Sequence, residues 1–160
     1  MRPRLFLPFR ELLSPKGRIA RLTYFVNVAI FNVLFTALVA GTTLAAGLFD
    51  DDARAAFGWL LAPAALVAIV LVYALFCIHA KRLHDLGVTG FVCLLMFVYP
   101  VLKACLALNG SLVDLPIDVV RWVDIFAKTT LGLSFLLQIV LLVVPGRDDH
   151  NPYGGNPRAA

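Results

Sequence analysis

At 160 residues, 61% hydrophobic and only 15% charged, the chain is too apolar for a soluble domain, where about 45–50% apolar and about 25% charged residues are usual. That composition, with a mean hydropathy of +0.87, indicates an integral membrane protein, here a single domain over residues 1–160. The net charge of +4 is gathered into particular loops, which argues against nucleic acid as a partner and for anionic lipid.

Residues 1–23, MRPRLFLPFRELLSPKGRIARLT, form a basic juxtamembrane segment with Arg2, Arg4, Arg10, Lys16, Arg18 and Arg21 against the single acid Glu11. Leu5, Phe6, Leu7, Phe9, Leu12 and Leu13 suit the headgroup region, with the cations facing lipid phosphates. Pro8 argues against one unbroken helix, and Ser14 to Gly17 reads as a turn. A cleavable secretory leader is not expected. The first apolar run starts near Tyr24 and exceeds the roughly 7–15 residues of a signal core.

Four apolar runs follow, and a helix needs about 20 such residues to cross the bilayer. The first span is 24–49, with Asn27 and Asn32 as its polar residues and Gly41, Ala45 and Gly47 as small packing residues. Asp50 to Asp52 with Arg54 read as an acidic loop. The second span is 57–80, with Trp59 as an interfacial anchor and Pro63 in its first turns. Then comes a polar hinge, AKRLHDLGVTGF (80–91), carrying Lys81, Arg82, His84 and Asp85, where Gly87 is placed to end the helix. The third span is 90–108. Pro100 should kink it, and Lys103 either snorkels to the interface or faces inward. An outer loop with Asp114, Asp118, Arg121 and Asp124 leads past Trp122 to the fourth span, 125–144. Pro145-Gly146 stops that span and opens a turn-rich tail, 145–160. Cys77, Cys93 and Cys105 lie in apolar runs without metal-ligand spacing and read as packing residues.

Of the fourteen Lys and Arg residues, ten fall on the side shared by both termini and the hinge, and Arg54, Arg121 and Lys128 on the other. The positive-inside rule therefore puts both termini and the hinge in the cytosol. The expected fold is all-α, an integral membrane four-helix antiparallel bundle with both termini cytosolic.

On a helix, Arg82 and Asp85 stand at i, i+3 and Lys81 and Asp85 at i, i+4, so either pair can meet. Asp85 is expected to be shared between Arg82 and either Arg18 or Arg21. His84 points about 100° away from Asp85 on a helix, which disfavours a catalytic dyad. Four functions remain open. The cluster can be a structural device in an interaction protein, or its arginines can hold an anionic phospholipid headgroup. His84 with Asp85 can serve a headgroup-directed membrane enzyme, or the helices can form a small-solute carrier. No cofactor motif is present. A metal site is not expected, because His79 and His84 are five apart, off the spacing that shares a helix face. The expected partners are membrane lipids and a second copy of the chain.

Three segments carry a resemblance: GRIARLTYF (17–25), KRLHDLGVTGF (81–91) and PGRDDHNPYGGNP (145–157). Together they resemble the bacterial inner-membrane family catalogued as domain of unknown function 805. The matching positions are Gly17, Arg18, Arg21 and Tyr24; Arg82, Leu83, His84, Asp85, Thr89, Gly90 and Phe91; and Pro145, Gly146, Asn151, Tyr153, Gly154 and Pro157. Asp148-Asp149-His150 stands where the family often has a glycine. The resemblance implies a multi-pass protein of the bacterial inner (plasma) membrane, and it brings Asn151 and Tyr153 to the cluster of Arg18, Arg21, Arg82, His84 and Asp85. It implies no reaction.

Overall fold

A computed structural model describes residues 5–48, 51–107, 109, 115–147 and 152–153 of the chain. Five α-helices account for most of them: α1 (Phe9–Leu12), α2 (Arg21–Leu48), α3 (Asp51–Asp85), α4 (Leu95–Ala107) and α5 (Ile117–Val143). A 3-10 segment, Gly90–Leu94, leads into α4. No strand occurs among the described residues. α2 lies against α3, α4 against α5, and the 3-10 segment against α3, with α5 also meeting α2 and α3.

α2, α3 and α5 each hold a stretch long and apolar enough to cross a membrane. Large apolar side chains along them, such as Val33, Leu44, Leu66, Ile69 and Phe135, face outward. Outward apolar faces suit a lipid solvent, where helices need no apolar interior to associate. The third predicted span differs from the others. Its α-helix has 13 residues, and the apolar stretch Gly90–Leu106 is the shorter one of the set. The structure thus has three long apolar helices and a shorter one in place of four equal spans.

Helix boundaries also differ from the sequence reading. α5 starts at Ile117, so Asp118, Arg121, Trp122 and Asp124 belong to a helix and not to an outer loop. α3 starts at Asp51, so Asp51, Asp52 and Arg54 belong to a helix and not to an acidic loop. Acids are favourable in a first turn, and nothing between Asp51 and Phe57 breaks a helix. At its other end α3 continues through Lys81–Asp85, so the charged cluster is the helix's last turn. The change of direction comes at Leu86–Thr89. Val88 N–H donates to Leu83 O (2.9 Å) and Gly87 N–H to His84 O (3.0 Å), the paired bonds of a Schellman cap, with Gly87 in the left-handed region at φ 77°.

The buried apolar core sits at this charged end. Ile19, Tyr24, Val28, Ile78, Leu83, Cys93 and Leu141 form it, with Leu7 and Leu12 packed against it. The N-terminal segment is drawn in by Asn27, whose Nδ2 donates to Leu5 O (3.0 Å) and whose Oδ1 accepts from Leu7 N–H (3.5 Å). α1 is moored to α3 by Lys81, whose Nζ donates to Glu11 O. At the opposite end Asp124 joins α4 to α5, bonding Lys103 Nζ (3.1 Å) and Lys128 Nζ (2.7 Å).

Candidate functional site: an arginine–aspartate clamp

Pro145 ends α5. The residue before a proline is pushed out of the helical region, and Val144 is extended at ψ 126°. A helix stopped this way leaves carbonyls of its last turn without intrahelical donors. Here arginines from two other segments supply them. Arg82 Nε donates to Leu141 O (2.8 Å) and its Nη2 to Val144 O, while Arg21 Nη1 donates to Val143 O (3.1 Å). Cations at a helix C-terminus also complement its dipole.

The third arm of Arg82, Nη1, reaches Asp85 Oδ2 one turn along α3. The other carboxylate oxygen is taken by Arg18, with Nε at 3.2 Å and Nη2 at 3.0 Å from Oδ1. Arg18 Nη2 also donates to Arg147 O, and Arg147 N–H donates to Asp85 O (2.9 Å). Arg82 and Asp85 are 0% exposed and Arg18 9%. One carboxylate between two guanidinium groups therefore fastens together the entry to α2, the end of α3 and the exit of α5. Arg82 can do this because its planar fork offers donors in several directions; a lysine ammonium has no such fork.

His84 lies beside this clamp and makes contacts of its own with other groups. Its Nδ1 faces Gly17 O at 3.3 Å, and its ring stacks on Tyr153 at 3.9 Å between centroids, 3° from parallel. Tyr153 thus brings the tail onto the clamp. Gly90 makes the close approach of the 3-10 segment possible: a Cβ there would lie 2.8 Å from Ala80 Cβ and 3.1 Å from His84 Nε2.

Of the residues singled out from sequence, Arg18, Arg82 and Asp85 meet in the clamp. Arg21 turns to the α5 carbonyl, and His84 pairs with Tyr153. Asn151, Gly154 and Pro157 lie outside the described residues. Lys81 faces Glu11 O and not Asp85. The sequence reading missed the arginine bonds to Leu141, Val143, Val144 and Arg147, the one available signal being the abrupt Pro145 stop beside a surplus of arginines. It also missed a second polar knot about two turns deeper. There Tyr24 hydroxyl donates to Gln138 Oε1 (3.1 Å), and His79 Nε2 is 3.1 Å from the same atom. His79 Nδ1 donates to Leu75 O at 2.6 Å.

Among the described residues no three His, Cys, Asp or Glu side chains come together as a metal site, and every buried side-chain nitrogen and oxygen has a hydrogen-bond partner. No curated protein and no solved structure matches the chain. The clamp's residues all lie within the stretch that a family's sequence model covers, residues 12–155. By that match over nearly its whole length, the chain belongs to the family described as "Protein of unknown function (DUF805)".

Proposed function

We propose that this is a multi-pass scaffold or interaction protein of the bacterial inner membrane, whose clamp end faces the cytosol and presents a basic rim to anionic phospholipid. The observation that carries this reading is the direction of the arginines. Arg18 and Arg82 are turned inward onto Asp85 and backbone carbonyls, which favours a structural role for the cluster itself. Arg10, Lys16 and Arg147 stand exposed around it. Beside them Phe6 and Phe9 of the N-terminal segment are 63% and 71% exposed. Exposed aromatic rings next to cations suit the headgroup boundary of an anionic leaflet. The 3-10 segment rises about 2.0 Å per residue, so together with α4 it lengthens the third helix toward a full crossing and a four-span bundle.

The enzymatic alternative draws less support. Asp85 is turned to arginines, and His84 makes no hydrogen bond to it among the described residues.

The test is lipid retention by the full chain in native mass spectrometry. The parent should keep phosphatidylglycerol or cardiolipin in preference to phosphatidylethanolamine. The triple variant Arg10→Ala, Lys16→Ala, Arg147→Ala should lose that preference while keeping its melting temperature. Equal retention of anionic lipid by parent and variant would refute the lipid-binding rim.

A further inference from the structure

Between α2, α3, α4 and α5 lies an open cavity of about 340 Å³ in the apolar part of the molecule, with Asn32, His79, Ser134 and Gln138 on its wall beside Phe97 and Phe135. Its depth follows from helix rise. His79 is six residues up α3 from Asp85, and Asn32 is eleven residues up α2 from Arg21. At 1.5 Å per residue these lie roughly 9 and 16 Å from the clamp, within the near leaflet of a hydrocarbon layer about 30 Å thick.

Polar groups at that depth are costly and mark function when they are not absorbed by the backbone. Most here are absorbed. Thr129 and Thr130 hydroxyls bond to carbonyls of their own helix, and Ser134 bonds to Thr130 O and to Leu95 O on α4. The two amides differ. Asn32 Nδ2 donates to Val28 O (2.8 Å), but among the described residues nothing donates to its Oδ1. One end of the Gln138 amide is held by Tyr24 and His79; its other end has no bond among the described residues. His79, fixed by Leu75 O, and Tyr24 therefore act as positioning residues that hold Gln138 against the cavity. Two amides from different helices each present one open hydrogen-bonding position to it.

We infer that this cavity is a binding site for a lipid-soluble quinol, with its ring between Phe97 and Phe135, one hydroxyl donating to Asn32 Oδ1 and the other on the open end of Gln138. Among the described residues no charged side chain lines the cavity, so a neutral head is selected over a carboxylate or a phosphate. The open positions are an amide carbonyl and one end of a second amide; the carbonyl accepts, so it suits a ring hydroxyl, which donates, and not a quinone carbonyl, which does not. The aromatic walls suit a flat ring. The volume falls at the small end of the range for ligand pockets, about 300–1,000 Å³, enough for one substituted ring and the start of its tail. The remaining tail lies in the surrounding lipid. The site needs no reaction at the ring.

The probe is radiolabelled decylubiquinol, kept reduced under anaerobic conditions, added to the full chain in nanodiscs and compared with protein-free discs. Saturable one-to-one uptake above partitioning is expected. Asn32→Leu and Gln138→Leu should each weaken it about tenfold or more, the scale of a lost polar contact. Leu66→Ala on the outward face should leave it unchanged. Among the described residues Asn32 bonds only within its own helix, so that variant keeps the Tyr24–Gln138–His79 knot and is the deciding one if Gln138→Leu does not fold. Uptake equal to protein-free discs overturns the proposal, as does saturable uptake that Asn32→Leu leaves unchanged. Displacement by decanol as effective as by unlabelled decylubiquinol would reduce the site to a generic apolar groove and also overturns it.

Discussion

Asp85 and Arg82 are fully buried, and that sets what each residue contributes. Taking ions out of water is expensive, so a buried pair adds little over an apolar substitute, yet removing one partner strands the other. Asp85→Asn leaves Arg18 and Arg82 facing a neutral amide. It should lower unfolding stability in detergent by about 3–5 kcal/mol. Arg82→Lys should cost a similar amount. One ammonium cannot serve Asp85, Leu141 O and Val144 O in the directions that the guanidinium does. A melting curve for Asp85→Asn within about 0.5 kcal/mol of the parent, the range of an ordinary surface change, would contradict a clamp.

At the scale of elements, the turn between α3 and α4 depends on two glycines for different reasons. Gly87 supplies a backbone conformation, and Gly90 supplies room against Ala80 and His84. Gly90→Ala should force the 3-10 segment off α3 and destabilise by about 1–3 kcal/mol, the usual cost of overpacking. Gly132→Ala, where nothing lies within 4 Å, should be neutral or slightly stabilising in thermal melts. The same region shows what a sequence can and cannot specify. The Arg82–Asp85 pair was legible because i, i+3 spacing within one helix settles it. Lys81 had the same spacing argument toward Asp85, but α1 packs against α3 there and its ammonium meets Glu11 O instead, a tertiary contact that i, i+4 spacing does not encode. The bonds from Arg82 to Leu141 and Val144 span about sixty residues. They depend on the relative depth and rotation of α3 and α5, which no local spacing encodes. Charge alone does not mark a loop: charged residues extend α3 at both ends and α5 at its start.

For the whole molecule, composition made the membrane-compatible helices legible, while the shorter third helix was not, because the switch to 3-10 geometry at Gly90–Leu94 carries no change in hydropathy. The docking of the N-terminal segment was also hidden, resting on long-range bonds from Asn27 to Leu5 and Leu7 and from Lys81 to Glu11 O. The proposed topology has a direct check. In a Cys105→Ala background, which removes the exposed native thiol, Val88→Cys should react with an impermeant maleimide only after the cells are permeabilised. Ile117→Cys should react in intact cells. The reverse pattern would invert the topology and move the basic rim to the outer leaflet.

The central claim is that Arg18 and Asp85, 67 residues apart in sequence, are energetically joined. A double-mutant cycle with Arg18→Ala and Asp85→Ala, read by reversible unfolding of the full chain in mixed detergent, measures that coupling alone. The clamp predicts a coupling of about 1–3 kcal/mol, with the double variant clearly more stable than the sum of the two single losses implies. Additivity within about 0.3–0.5 kcal/mol, as for distant independent sites, would contradict it.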